Sequence, residues 1–190
     1  MTRRMSRKTW LILAVVVIAV GAVVGVALSH GSPGPSDSTS EPQKAPDFTL
    51  PTITGANITL SDMEGTPVLL NFWSTSCAYC VQQLPYLENV ALQSDGEIEV
   101  VVVNMVDSAS RINTFFGDYE PTMIVALDED RATYLNYCQN FDNSRGSIPF
   151  TLLVDSEGIV QYKRIGAFAS VTQVWDTLSS VFGITAPHTS

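Results

Sequence analysis

The chain has 190 residues and a formal net charge of −9 at pH 7, which allows one ordinary domain plus additional segments. Residues 46–190 alone carry five Lys or Arg and 17 Asp or Glu residues, a formal charge of −12. A domain this acidic is not expected to bind nucleic acid or to adsorb to anionic lipid.

The N-terminal residues are expected to attach this domain to a membrane. Residues 1–9 are basic, and residues 10–28 form an uncharged apolar run of 19 residues. A helix of that length spans about 28 Å, close to the thickness of a bilayer core. We therefore predict an uncleaved single-pass anchor with a cytoplasmic N-terminus, although Ala27-Leu28-Ser29 leaves cleavage as an alternative. Residues 29–45, rich in Pro, Gly and Ser, predict a flexible tether.

The domain at residues 46–190 alternates predicted strands with predicted helices. Strands are predicted at 47–50, 57–60, 67–73, 98–103, 123–127, 150–154 and 159–164, and helices at 77–92, 108–118, 130–140 and 171–182. Pro85 falls inside the first helix and predicts a kink there. The order of elements indicates an α/β fold with a mixed central sheet flanked by helices.

The motif Cys77-Ala78-Tyr79-Cys80 follows the strand at 67–73 and opens a predicted helix. Two thiols at this spacing can form a disulfide and reopen, and a helix N-terminus stabilises the first sulfur as a thiolate. A zinc site would need two more ligands, yet only Cys138, His30 and His188 remain. A static structural disulfide is the other alternative. The motif favours a redox-active pair that needs no metal and no cofactor.

Several further motifs occur in the order and spacing of a known family. They are Ala45-Pro46-Asp47-Phe48-Thr49-Leu50, Asn71-Phe72-Trp73, Leu84-Pro85 and Ser147-Ile148-Pro149-Phe150-Thr151-Leu152-Leu153-Val154-Asp155. With the cysteine motif, they make the chain resemble the thioredoxin fold, specifically the membrane-anchored TlpA/ResA-like proteins. The resemblance implies a thiol–disulfide oxidoreductase outside the cytoplasm of a bacterium. It also implies that the protein reduces apocytochrome c or other exported proteins with electrons from an integral membrane thiol carrier.

The resemblance and the chemistry together suggest roles for individual residues. Cys77 is expected to be the exposed nucleophile and Cys80 the resolving thiol. Pro149 would be a cis-proline facing the pair, so that the Ile148 backbone can bind an extended substrate; a trans proline opening an edge strand is the alternative. Ala78 and Tyr79 would also contact substrate. Trp73 would line the floor of the site, or else be an ordinary core aromatic.

Three positions differ from the pattern of the family. Ser76 stands where related proteins usually have Trp, Gln83 where ResA-like members often have Glu, and Asn71 where thioredoxin has a buried Asp. An amide cannot act as a general base. We therefore predict a high pKa for Cys80 and slow resolution of the mixed disulfide.

The same fold also carries other functions. A disulfide-forming oxidase remains open, because the motif does not fix the direction of electron flow. A thiol peroxidase is disfavoured, since Leu70 and Ser74 occupy the positions where its pattern wants Pro and Thr. A thiol-based copper chaperone or a mixed-disulfide adaptor also remains open. Cys138 is expected to be a small buried residue, with a second reactive thiol or a dimer link as the alternatives.

Overall fold

The computed structural model describes residues 42–187. The predicted basic segment at 1–9, the predicted anchor at 10–28 and most of the predicted tether lie outside this range. Among the described residues, none of the helices combines the length and the apolar character that crossing a bilayer requires.

The described residues form seven strands, four α-helices and one short 3-10 helix. In chain order these are β1 Thr49–Pro51, β2 Asn57–Thr59, the 3-10 helix Leu60–Met63, β3 Val68–Trp73, α1 Ala78–Gln93, β4 Glu99–Asn104, α2 Ala109–Phe116, β5 Ile124–Leu127, α3 Ala132–Asn140, β6 Phe150–Val154, β7 Val160–Ile165 and α4 Val171–Phe182. The main sheet has the order β5-β4-β3-β6-β7, and β1 pairs with β2 separately. Strands β3, β4 and β5 are parallel, whereas β6 is antiparallel to both β3 and β7. The predicted mixed sheet is confirmed.

Strand β3 is the centre of the sheet, and all six of its residues are buried. Because successive side chains of a strand point to opposite faces, Leu69 and Trp73 enter one core while Leu70 and Phe72 enter the other. Helices α1, α2 and α4 cover the first face. Helix α3 and the β1–β2 hairpin cover the second face. The central strand therefore lies between two hydrophobic layers, one on each face of the sheet.

Several boundaries differ from the prediction. Strand β1 begins at Thr49 rather than Asp47, because the Asp47 carboxylate accepts hydrogen bonds from the backbone N–H of Phe48 and Ser61. Strand β2 ends at Thr59, where the 3-10 helix begins. Most other elements differ from prediction by one or two residues at an end, as is usual for such boundaries. Pro85 lies within α1, which is one continuous helix from Ala78 to Gln93.

Candidate active site

The cysteine motif follows the carboxyl end of β3, where a short loop connects the strand to α1. Cys77 is the N-cap residue of α1, and its Sγ accepts a hydrogen bond from the backbone N–H of Cys80 at 3.1 Å. Its own N–H donates to the carbonyl of Ser74 at 3.2 Å. A disulfide joins Cys77 to Cys80, with 5.2 Å between their Cα atoms. The first sulfur thus lies where free helix N–H groups favour negative charge.

The two cysteines differ in their exposure to solvent. Cys80 has no exposed surface, whereas Cys77 is half-buried. Ala78 is exposed, and Tyr79 has 69% of its surface exposed. An incoming protein can therefore reach Cys77 and the dipeptide that follows it, but it cannot reach Cys80 directly.

Pro149 lies at the same end of β3 as the cysteine loop. It directly precedes β6, whose Phe150 pairs with Phe72, the residue before Trp73. The Ile148–Pro149 peptide bond is cis, as predicted. Pro149 is buried, while Ile148 is half-buried and packs against the hydrophobic cluster that contains Cys80.

The loop before Pro149 is held by a residue that the sequence did not single out. Asn143 is 1% exposed, and its side-chain amide exchanges two hydrogen bonds with the backbone of Ser147, each 2.9 Å long. Tyr134 Oη also donates to the Ser147 carbonyl, at 3.5 Å. These bonds fix the segment that leads into Ile148.

The two amide residues predicted to lie behind the cysteines are both fully buried. Gln83, on α1, accepts a hydrogen bond from the backbone N–H of Phe168 at 3.1 Å. Asn71 donates to Thr151 Oγ1 at 2.9 Å, and its Oδ1 has no hydrogen-bond partner among the described residues. Since Asn71 alternates with Leu70 and Phe72, its side chain lies on the sheet face that α1 covers. No carboxylate occupies either position.

Trp73 is fully buried, with its ring centroid 5.5 Å from that of Phe115 and 6.2 Å from that of Phe116. This placement favours the core-aromatic alternative over direct contact with substrate. Cys138 is 6% exposed, and burial raises the pKa of its thiol. The third cysteine therefore has the environment of a small buried residue.

A polar cluster that sequence reasoning missed anchors the loop before Cys77. The Asp107 carboxylate accepts a hydrogen bond from the Thr75 backbone N–H at 2.8 Å and another from the Asn104 side chain at 3.0 Å. Arg111 Nε lies 2.9 Å from Asp107 Oδ1 and also 2.9 Å from Thr75 Oγ1. Burial acts to raise the pKa of Asp107, but these hydrogen bonds and the Arg111 charge outweigh it, so that the pKa lies below its usual value. The one local signal was Ser108, the N-cap of α2, directly after Asp107.

Comparison with known proteins identifies the family to which the chain belongs. The Redoxin family profile matches residues 41–178. The chain belongs to the redoxin family. This redoxin is 34% identical over 160 residues to the thiol-disulfide oxidoreductase ResA of Bacillus subtilis, and the match covers 83% of each chain.

A second relative and a solved structure agree with this result. The thioredoxin-like protein YneN of B. subtilis is 33% identical over 129 residues, covering 66% of this chain and 72% of YneN. The structure described as thiol:disulfide interchange protein DsbE of Chlorobium tepidum superposes with a TM-score of 0.62 at 28% identity. That match covers 72% of this chain and 92% of the other. This redoxin therefore has the thioredoxin-like fold and is a thiol–disulfide oxidoreductase of the ResA and DsbE type, as the sequence predicted.

Proposed function

We propose that this protein reduces disulfides of exported proteins through Cys77 and Cys80, on the outer side of a bacterial cytoplasmic membrane. The observation that carries the proposal is the unequal exposure of the two cysteines. Cys77 caps α1 and is within reach of solvent, whereas Cys80 is buried one helical turn further along. This arrangement suits one thiol for attack and the other for resolution.

The reaction then proceeds in two exchanges. The Cys77 thiolate attacks one sulfur of the substrate disulfide, so that a mixed disulfide forms and the first substrate thiolate leaves. The Cys80 thiolate next attacks the Cys77 sulfur, which releases the second substrate thiolate and forms the Cys77–Cys80 disulfide. Two electrons pass to the substrate. A membrane thiol carrier would return two electrons to the pair by the reverse exchanges.

The surroundings of Cys77 would receive the substrate chain. The Ile148 backbone before Pro149 would pair with an extended substrate segment, and Ala78 and Tyr79 would contact it from the other side. Exposed main-chain groups at such a site bind many sequences, because they read the backbone rather than particular side chains. Disulfides of exported proteins, including apocytochrome c, are the proposed substrates.

The cellular location is proposed on the basis of the N-terminal sequence. Basic residues precede the apolar run at 10–28, an order that supports a cytoplasmic N-terminus and a redox domain outside the cytoplasm. A tether of about 15 residues has a root-mean-square reach of about 20 Å, which keeps the domain close to the membrane. Protease added to spheroplasts should therefore digest the redox domain, and survival of the domain would contradict the proposed location.

The direction of electron flow is tested by the reduction potential of the pair. The full chain carrying Cys138→Ser would be solubilised in detergent and equilibrated with glutathione buffers. A potential near that of thioredoxin, about −270 mV, is expected for a reductase. A value near −120 mV would instead indicate an oxidase that donates disulfides. A pair that does not cycle would contradict the proposed function altogether.

The roles of the two cysteines are tested by trapping. Cys80→Ser should accumulate mixed disulfides with exported proteins, because the resolving thiol is absent. Cys77→Ser is the matched control and should trap none. The opposite pattern on a non-reducing gel would reverse the two roles.

A further inference from the structure

The cluster around Asp107 connects two elements that both end beside the cysteine loop. Asn104 is the last residue of β4 and pairs with Trp73, the last residue of β3. Its side-chain oxygen accepts hydrogen bonds from the N–H groups of Val106 and Asp107, at 3.1 and 2.8 Å. The turn after β4 is thereby closed with the Asp107 carboxylate directed at Thr75, in the loop after β3.

Asp107 and Arg111 are a charge pair of unequal burial. The Asp107 side chain is 9% exposed and that of Arg111 is 63% exposed. The pair contacts Thr75 at two points, because the carboxylate accepts from the Thr75 N–H while Arg111 Nε donates to the Thr75 hydroxyl. Thr75 is two residues from Cys77, so that their Cα atoms are at most about 7.6 Å apart.

Three other charged side chains of the described residues have no hydrogen bond or ion pair with this loop. Glu129 Oε1 accepts from the N–H of Ala109, the first residue of α2, at 3.3 Å. Asp128 accepts from the start of α3, and Arg145 is exposed in the loop before Pro149. Within residues 42–187, no hydrogen bond or ion pair joins these three side chains to residues 74–77.

We propose that Asp107 and Arg111 are positioning residues that hold the Cys77 loop and balance each other's charge beside it, so that neither charge alone shifts how readily the Cys77 thiolate forms. The carboxylate alone would disfavour a second negative charge on Cys77, and the guanidinium alone would favour it. Present as a pair, the two opposing effects nearly cancel. The inference rests on the proposed role of Cys77 as nucleophile.

The test measures the pH dependence of Cys77 alkylation by iodoacetamide. The full chain would carry Cys80→Ser and Cys138→Ser, so that Cys77 is its only thiol. Three variants are compared in that background: Arg111→Met, Asp107→Asn and the double variant. Lys163→Met is the matched control for Arg111→Met, because Lys163 forms an exposed ion pair with Asp142 and its loss changes the net charge by the same amount.

Opposite effects are expected from the two single variants. Arg111→Met should slow alkylation at neutral pH about two- to tenfold and move the inflection to higher pH, because the Asp107 carboxylate that remains disfavours the thiolate. Asp107→Asn should speed alkylation by a similar factor and move the inflection to lower pH. The double variant should return close to the parent protein, and Lys163→Met should leave the profile unchanged.

A purely structural role gives a different pattern. Loss of the loop contacts alone would move the inflection of both single variants in the same direction, or would leave both unchanged. Either result would overturn the inference. Arg111→Lys keeps the charge while changing the hydrogen-bonding geometry, so it should retain the parental inflection even if Arg111→Met is less stable. Alkylation needs no redox partner, so failure of this inference is distinguishable from failure of the proposed function, which the reduction potential tests.

Discussion

Replacing Asn71 with Asp would test whether a carboxylate at this buried position speeds resolution by Cys80. Asn71 has no exposed surface, and its side chain makes one hydrogen bond, to Thr151 Oγ1 at 2.9 Å. A carboxyl group placed there would lose its hydration and gain at most a hydroxyl partner, so that its pKa would lie well above its usual value. It would then be poised to accept the proton of Cys80 near neutral pH, where the native amide cannot.

The same burial gives a stability cost whose sign can be worked out. An unfolded chain loses the Asp proton at about pH 4, whereas the native chain would retain it to higher pH. The unfolded state then binds fewer protons, and the free energy of unfolding falls as the pH rises. The decrease should be about 1.4 kcal/mol per pH unit relative to the parent until the native carboxyl ionises. Urea unfolding at pH 5, 6 and 7 measures this slope.

The kinetic effect is measured with Ellman's reagent in the Cys138→Ser background. Reaction of reduced Cys77 releases one thionitrobenzoate, and attack by Cys80 on the resulting mixed disulfide releases a second. General-base assistance typically gives about 10²- to 10⁴-fold, and we expect at least about tenfold acceleration of the second phase in Asn71→Asp. Asn71→Leu is the matched control of similar volume and should show no acceleration. An unchanged second phase, in a protein that does show the predicted pH slope of stability, would refute the reasoning.

Three further predictions concern the domain around the site. Glu88→Gln should lower the free energy of unfolding, measured in urea, by about 1–2 kcal/mol, because the buried Glu88 carboxylate accepts hydrogen bonds from Tyr119 Oη and from two backbone N–H groups. Exposed Glu97→Gln is the control, and an equal effect of both substitutions would contradict this role of Glu88. Burial acts to raise the pKa of Asp47, but hydrogen bonds from Ser61 and the backbone outweigh it and lower the pKa, so its stabilising effect is present above about pH 4 and is lost on further acidification. Asp47→Asn should therefore reduce the fall in melting temperature between pH 5 and pH 3. An unaltered pH dependence of the melting temperature would contradict this role of Asp47. Cys138 should react with Ellman's reagent more slowly than reduced Cys77 in the native protein, since burial raises the pKa of the Cys138 thiol. In urea the two thiols should react at similar rates. Fast reaction of Cys138 in the native protein would contradict its burial.

Features that depend on local pattern were predictable from the sequence. The apolar run before the motif became the central strand β3, because a strand buried on both faces needs apolar residues without alternation. Cys77 was placed at the start of a helix, where the structure has it as the N-cap. The cis bond at Pro149 was predicted from the family resemblance, and the structure has it.

Features that depend on distant side chains were not predictable. Asp107 and Thr75 are 32 residues apart, and Glu88 and Thr122 are 34 residues apart. In both pairs a carboxylate satisfies a backbone N–H of another segment, and such a partner is decided only when the sheet brings the segments together. The early end of β2 has a similar origin, because Asp47 accepts hydrogen bonds from Ser61 across the hairpin.

The exposed dipeptide between the two cysteines has a consequence for how such proteins diverge. Ala78 and Tyr79 contribute nothing to the buried core, although they lie between the half-buried Cys77 and the fully buried Cys80. Selection can therefore exchange these two residues, and with them the potential and the partners of the pair, at little cost in folding. A family with one inherited framework can in this way supply many separate electron-transfer routes, each obtained by a change of two codons.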